Sequence, residues 1–256
     1  MEEKVVIHGR LGTIVGSLSR PNNIKSKTLV LLVHGFAATK NNKAVLKWKE
    51  LFESLGFITV RMDLYNHGES FGKFEDMTIT ACIKSIEDAI DYFLKEGFES
   101  IGLCGSSMGG LVALFGSIKK IEHIKFLILR SPVSMNQGDI IANFHKLDIK
   151  FWKSNKSIEW HNKLGAISKL NYKFYEDAQL FDANIIANKI TAPTLIVHGD
   201  NDNFVPLSGS KTLAVKLKNN TLKVLIGADH LYTDKETEEM MRYMTEFLVS
   251  NNLLTK

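Results

Sequence analysis

The sequence predicts an α/β fold in which a mostly parallel sheet is covered by helices on both faces. Three observations carry that expectation. Short apolar runs alternate with longer amphipathic stretches along the 256 residues, the pattern of strand–helix–strand crossovers. Several runs are apolar throughout, as strands buried on both faces must be. Glycines stand where amphipathic stretches stop, at Gly56 and Gly97, a usual helix ending.

Taken in order, residues 4–7 and 13–18 read as a hairpin joined through Gly9-Arg10-Leu11-Gly12. Thr28–Val33 is a continuous apolar run fit for a central strand. Residues 42–55 are amphipathic and end at Gly56, and residues 57–62 form the next strand. A long helix is expected over 78–95, then strands over 99–104 and 125–129. Between those two strands, Leu111, Val112, Leu114, Phe115 and Ile118 fall at helical spacing. Two more strands, 194–197 and 222–226, precede a final amphipathic helix at 235–249.

Residues 133–190 break the alternation. They contain no convincing buried strand and are rich in aromatics: Phe144, Phe151, Trp152, Trp160, Tyr172, Phe174, Tyr175 and Phe181. This stretch is expected to be a mainly helical lid inserted over the sheet's active edge, with several of its rings buried against each other. The core then comprises 1–132 and 191–256.

Composition narrows the function classes. The chain is 45% hydrophobic and 23% charged, ordinary for a globular domain. Its net charge is +4, but the lysines are scattered instead of forming a stripe, which argues against nucleic-acid binding. No apolar stretch approaches the ~18 residues of a membrane span, so stable membrane insertion is not expected. The segment Met1-Glu2-Glu3-Lys4 has no secretory apolar region, and a cytoplasmic protein is expected. The two cysteines, Cys82 and Cys104, lack metal-ligand spacing, and neither a metal nor an organic cofactor is expected.

The chemistry is concentrated in Gly105-Ser106-Ser107-Met108-Gly109, placed directly behind an apolar run and ahead of a helical pattern. This is Gly-x-Ser-x-Gly at a strand-to-helix turn, where glycines avoid collisions with the adjoining strand and helix. A serine hydroxyl is a poor nucleophile near neutral pH, so it needs a base, and the base needs an acid to fix its tautomer. Of the eight histidines, His230 fits best, following a strand through Gly227-Ala228-Asp229. His198 ends a strand and reads as buried structure. For the acid, Asp202 is favoured over Asp200, which is expected to brace the turn, and over Asp229, which adjoins His230. The order Ser107, Asp202, His230 is that of one hydrolase class. An oxyanion needs two preorganised N–H donors. These are assigned to the backbones of Met108, after the serine, and Phe36, in the loop His34-Gly35-Phe36-Ala37. His34 is expected only to brace that loop.

In these residues the chain resembles the α/β-hydrolase superfamily. The likeness rests on four motifs in order: His34-Gly35-Phe36; Asp63-Leu64-Tyr65-Asn66-His67-Gly68-Glu69-Ser70; Gly105 to Gly109; and Gly199-x-x-Asp202-x-x-Val205-Pro206 followed by His230. Within the superfamily it resembles the bacterial cinnamoyl (feruloyl) esterases, through His34 to Ala38, His67 to Thr78 and Gly227 to His230. That resemblance implies the α/β-hydrolase fold and a serine carboxyl-ester hydrolase acting through an acyl-enzyme. The expected substrate is a small-molecule ester with a cinnamate-like or medium acyl group. It also implies that Asp139 and Tyr175 hydrogen-bond a phenolic hydroxyl. Without such a ligand, Asp139 reads as a helix cap before Ile140 and Tyr175 as packing under the lid.

Alternatives stay open at this point. The lid suits monoacylglycerols, lysophospholipids or acyl thioesters nearly as well. A non-catalytic binding protein on the same scaffold, a C–C hydrolase and a cofactor-free haloperoxidase carry less weight. Exposed lid aromatics leave room for a homodimer.

Overall fold

In the computed structural model, residues 2–161 and 167–254 are described, without the side chains of Phe144, Trp160, His161 and Ile167. Strands β1 (Glu2–His8) and β2 (Thr13–Ser19) pair antiparallel, as the hairpin pattern requires. Then come β3 (Thr28–Val33), helix α1 (Lys43–Ser54), β4 (Ile58–Met62), α2 (Ile79–Lys95), β5 (Ser100–Ser106), α3 (Met108–Ser117) and β6 (Ile124–Arg130). After a long insertion the alternation resumes with β9 (Thr194–Gly199), α8 (Leu207–Lys216), β10 (Asn220–Leu225) and α9 (Asp234–Ser250). The eight strands form one sheet in the order β1-β2-β4-β3-β5-β6-β9-β10. From β4 onward every pairing is parallel.

The central strands show why they read as continuous apolar runs. In β3, Leu29, Leu31 and Val33 face one core, with α2 and α3, while Val30 and Leu32 face the other, with α1 and α9. All six residues of β3 are buried, as alternate side chains must be when both faces are covered. Three of the core helices, α1, α2 and α9, begin on side-chain caps. Asn42 accepts from Ala44 N, Thr78 accepts from Ala81 N, and Thr233 with Glu236 makes a capping box.

The insertion contains α4 (Gln137–Phe144), α5 (Ile149–Asn155), α6 (Tyr172–Ala178) and α7 (Ala183–Ile186). It also contains an element the sequence reading did not anticipate. Strands β7 (Ser157–His161) and β8 (Ile167–Asn171) pair antiparallel as a separate two-stranded sheet. Each has only five residues, too short for its alternation to stand out among the rings. In β8 Leu170 is buried while Lys169 is exposed, the alternation of a half-buried strand. Its backbone also serves the cluster, because Trp152 Nε1 donates to Leu170 O at 2.9 Å. The rings pack as expected: Trp152 lies 5.8 Å from Tyr172, 5.9 Å from Tyr175 and 6.4 Å from Phe174. Phe151, by contrast, is exposed.

Helix α8 was not foreseen either. It starts from Pro206 and buries only Ser210 and Leu213, so its apolar stripe is too thin to reveal a helical period.

Candidate active site

Four loops at the carboxyl ends of β3, β5, β9 and β10 converge, the usual place for a site in an open parallel sheet. The serine comes from the sharpest of them. Ser107 has φ 56° and ψ −121°, a backbone region costly for a residue with a Cβ, at about 1–3 kcal/mol. Its neighbours hold it there: Ser107 N donates to Arg130 O at 2.9 Å, and Ser107 O accepts from Val133 N at 3.2 Å. The motif glycines are required by contact. A Cβ on Gly105 would lie 2.4 Å from Gly109 O, and one on Gly109 would lie 2.4 Å from His34 O.

His230 Nε2 lies 3.1 Å from Ser107 Oγ, and His230 Nδ1 lies 2.7 Å from Asp202 Oδ2. A carboxylate can only accept, so Nδ1 carries the proton and Nε2 accepts from the hydroxyl. The three residues therefore form one continuous hydrogen-bond chain. Asp202 Oδ1 accepts from Phe204 N and Val205 N, which fixes its plane. Burial pushes the Asp202 carboxyl up, but the histidines His198 and His230 and the Val205 amide outweigh it. The net position is well below the usual carboxylate range, so Asp202 is an anion at neutral pH.

The competing residues have other work. Asp200 accepts from Gly227 N at 2.6 Å and so ties the turn after β9 to the turn after β10. Asp229 accepts from Leu231 N and Tyr232 N in a local turn. His198 is fully buried between Ser210 Oγ at 2.7 Å and Val205 O at 2.9 Å. It also does something the sequence did not disclose, placing Nε2 3.3 Å from Asp202 Oδ2. Asp202 thus sits between two imidazoles. The spacing His198-x-x-x-Asp202 was the available signal.

Beside the serine, a Cβ on Gly35 would stand 3.4 Å from Ser107 Cβ, so the loop carrying Phe36 abuts Ser107. The Phe36 ring packs on Phe74 at 5.5 Å and on Phe174 of the insertion at 5.4 Å. Met108 is the first residue of α3, where the N–H has no acceptor within its own helix. His34 braces the loop, with Nδ1 2.8 Å from Gly35 O and Nε2 accepting from Leu64 N at 3.1 Å. Asp63 joins the same two loops, accepting from Lys40 Nζ at 2.7 Å and from Glu69 N at 3.0 Å.

Asp139 and Tyr175 are brought together by α4 and α6. Tyr175 Oη donates to Asp139 Oδ1 at 2.7 Å, and Gln179 Nε2 reaches the same oxygen at 3.3 Å. The bond to Asp139 pushes the Tyr175 phenol up to about 12. The cap position of α4 belongs to Asn136, not Asp139.

No helix among the described residues is long and apolar enough to cross a membrane. Comparison with known proteins agrees with the geometry. Est1E from Butyrivibrio proteoclasticus, solved with ferulic acid bound, superposes with a TM-score of 0.79 at 28% identity, covering 96% of this chain and 99% of its own. Human mitochondrial palmitoyl-protein thioesterase ABHD10 is 24% identical over 258 residues, covering 94% of this chain and 81% of its own. The human serine hydrolase BPHL is 23% identical over 229 residues, covering 86% and 78%. The model of the BD-FAE family matches residues 18–217, a span that takes in the serine elbow, the Asp202 turn and the whole insertion; the chain belongs to that family and is a serine esterase of the α/β-hydrolase superfamily.

Proposed function

We propose that Ser107 is the nucleophile, His230 its general base and Asp202 the acid that orients the base. The preferred ester carries an aromatic, cinnamate- or ferulate-like acyl group. The roles are supported by the unbroken hydrogen-bond chain from Asp202 through His230 to Ser107. As Ser107 Oγ attacks the ester carbonyl, its proton passes to His230 Nε2, and Asp202 stabilises the imidazolium. The carbonyl electrons move to oxygen, where the amides of Phe36 and Met108 hold the negative charge. Collapse expels the alkoxide, which takes the proton from His230 and leaves an acyl-serine. Water then repeats the sequence, releasing the acid and restoring Ser107.

Residues 133–190 serve as the lid over this site. Among the described residues, Tyr175 and Gln179 both reach Asp139 through Oδ1, and Oδ2 is the oxygen that would accept from a phenolic hydroxyl. The likeness to a structure holding ferulic acid supports this substrate class. A second reading, acyl-thioester hydrolysis, is favoured by the likeness to a palmitoyl-protein thioesterase.

A fluorophosphonate probe should label the wild-type chain once, at Ser107, as read by peptide mass spectrometry. Labelling at any other residue refutes the nucleophile. Values of kcat/KM on ethyl ferulate, monoolein and palmitoyl-CoA then rank the substrate readings. An inert ferulate ester beside a turned-over thioester would replace the first reading by the second.

A further inference from the structure

Arg130 ends β6, behind the apolar run Phe126 to Leu129, and is only 6% exposed. A buried guanidinium ordinarily meets a carboxylate, because an unpaired charge is costly away from water. Arg130 makes no ion pair with any described residue. Its partners are of another kind. Nη1 donates to Ser106 Oγ at 2.9 Å, and Nη2 donates to His230 O at 2.7 Å. Its face rests on the Tyr232 ring, 4.0 Å from the centroid. Tyr232 is anchored in turn by Ser131 Oγ and Val197 O, each at 3.2 Å. The backbone carbonyl of Arg130 itself accepts from Ser107 N.

One buried cation therefore grips both the residue before the serine and the backbone of the histidine. Those two loops stand at the ends of non-adjacent strands, β5 and β10, and share no ladder. The geometry points to Arg130 as a positioning residue for the esterase reaction: its planar fork sets the gap between His230 and Ser107. This rests on the roles assigned above to Ser107 and His230. A fork with two fixed directions does what a lysine cannot, since an ammonium is a point charge on a flexible stem.

The surrounding charges are consistent with a cation held for its position. Burial pushes the guanidinium down, and the attraction of Tyr232, Asp202, Asp229 and Glu236 offsets only part of that. These come from every side: Asp229 and Tyr232 from the turn before α9, Glu236 from α9 itself, and Asp202 from the turn after β9. On the imidazole side, His230 faces Asp202, Ser107 and the Phe204 ring, 4.8 Å away.

The test compares Arg130→Met with Arg130→Lys, using kcat and KM on p-nitrophenyl butyrate, with fluorophosphonate labelling in parallel. Loss of the fork should lower kcat about 10- to 100-fold in both variants, with KM changed much less. Wild-type kcat in either variant overturns the proposal. So does a rise in KM as large as the fall in kcat, which would reduce Arg130 to packing. If Arg130→Met does not fold, Arg130→Lys decides: lowered kcat with KM little changed supports the proposal, and unaltered kcat ends it. A wild-type chain that never labels at Ser107 instead sinks the nucleophile assignment, whatever Arg130 does.

Discussion

Ser107 and Tyr175 each present a hydroxyl bonded to a partner distant in the chain, and they are held by different means. Ser107 stands at the end of a strand buried on both faces, and backbone fixes it: a left-handed φ, an amide bonded to Arg130 O and glycines with no room for a Cβ. Tyr175 stands on a seven-residue helix of the insertion. Rings fix it, with Trp152 at 5.9 Å and Tyr172 at 5.4 Å, together with the single carboxylate of Asp139. Backbone geometry in a sheet cannot be altered without breaking ladders on both sides. A ring cluster can be rebuilt at the cost of packing alone. The proposed chemistry and the proposed choice of substrate thus sit on parts of the molecule with very different tolerance.

The largest test of that contrast is Ser107→Gly. Removing the oxygen should lower kcat by about 10⁴- to 10⁶-fold. Because glycine is at ease at positive φ, the melting temperature should hold or rise. A fall in stability would show that backbone strain is not what the elbow stores. Next, Trp152→Ala should destabilise the chain by about 3–5 kcal/mol in chemical unfolding. Fluorophosphonate labelling at Ser107 should persist below the transition. Simultaneous loss of labelling and of the ring cluster would erase the distinction between the two regions.

Tyr175→Phe should act on recognition only. KM for a ferulate ester should rise about tenfold, the scale of one hydrogen bond to a charged group. Turnover of p-nitrophenyl butyrate should stay within about twofold. Equal effects on both substrates would remove Tyr175 from the phenol site.

The smallest expected effect concerns acid. Burial lowers the His67 imidazole from its ordinary 6.5 to about 3, and its buried Nε2 has no hydrogen-bond partner among the described residues. Between those values the unfolded chain binds a proton that the folded chain refuses. Stability is therefore full above about pH 6.5 and declines as pH falls toward about 3. The melting temperature should drop by a few degrees between about pH 7 and about pH 5, and His67→Leu should flatten that slope. An identical slope in the variant would place the acid sensitivity elsewhere. The window lies above the carboxylates: Asp202 and Glu69 are both lowered, so their contributions are lost only under more acid conditions.

Much of the sheet-edge region was legible from one dimension. Thr28–Val33 has the same ends in sequence and structure, because a strand buried on both faces runs apolar from Leu29 to Val33. The insertion was read less well. Its aromatic density announced burial but not the β7–β8 pair, since rings suit either conformation and the strands are short. Helix α8 escaped for the opposite reason, having too few apolar residues to show a period. Asp139 was open between a cap and a ligand contact. It does not cap α4, and its bond to Tyr175 depends on how α4 packs on α6.

The sequence by itself determined the order of strands and helices, the elbow and the identity of Ser107, Asp202 and His230 as residues facing one edge. All of these follow from local rules of periodicity, glycine sterics and position after a strand. Only the tertiary structure decided that Asp202 lies between two imidazoles, and that Arg130 spans the loops of Ser106 and His230, 100 residues apart in the case of His230. Those contacts are set by where side chains from separate strands end in space, and no spacing along the chain encodes an angle between them.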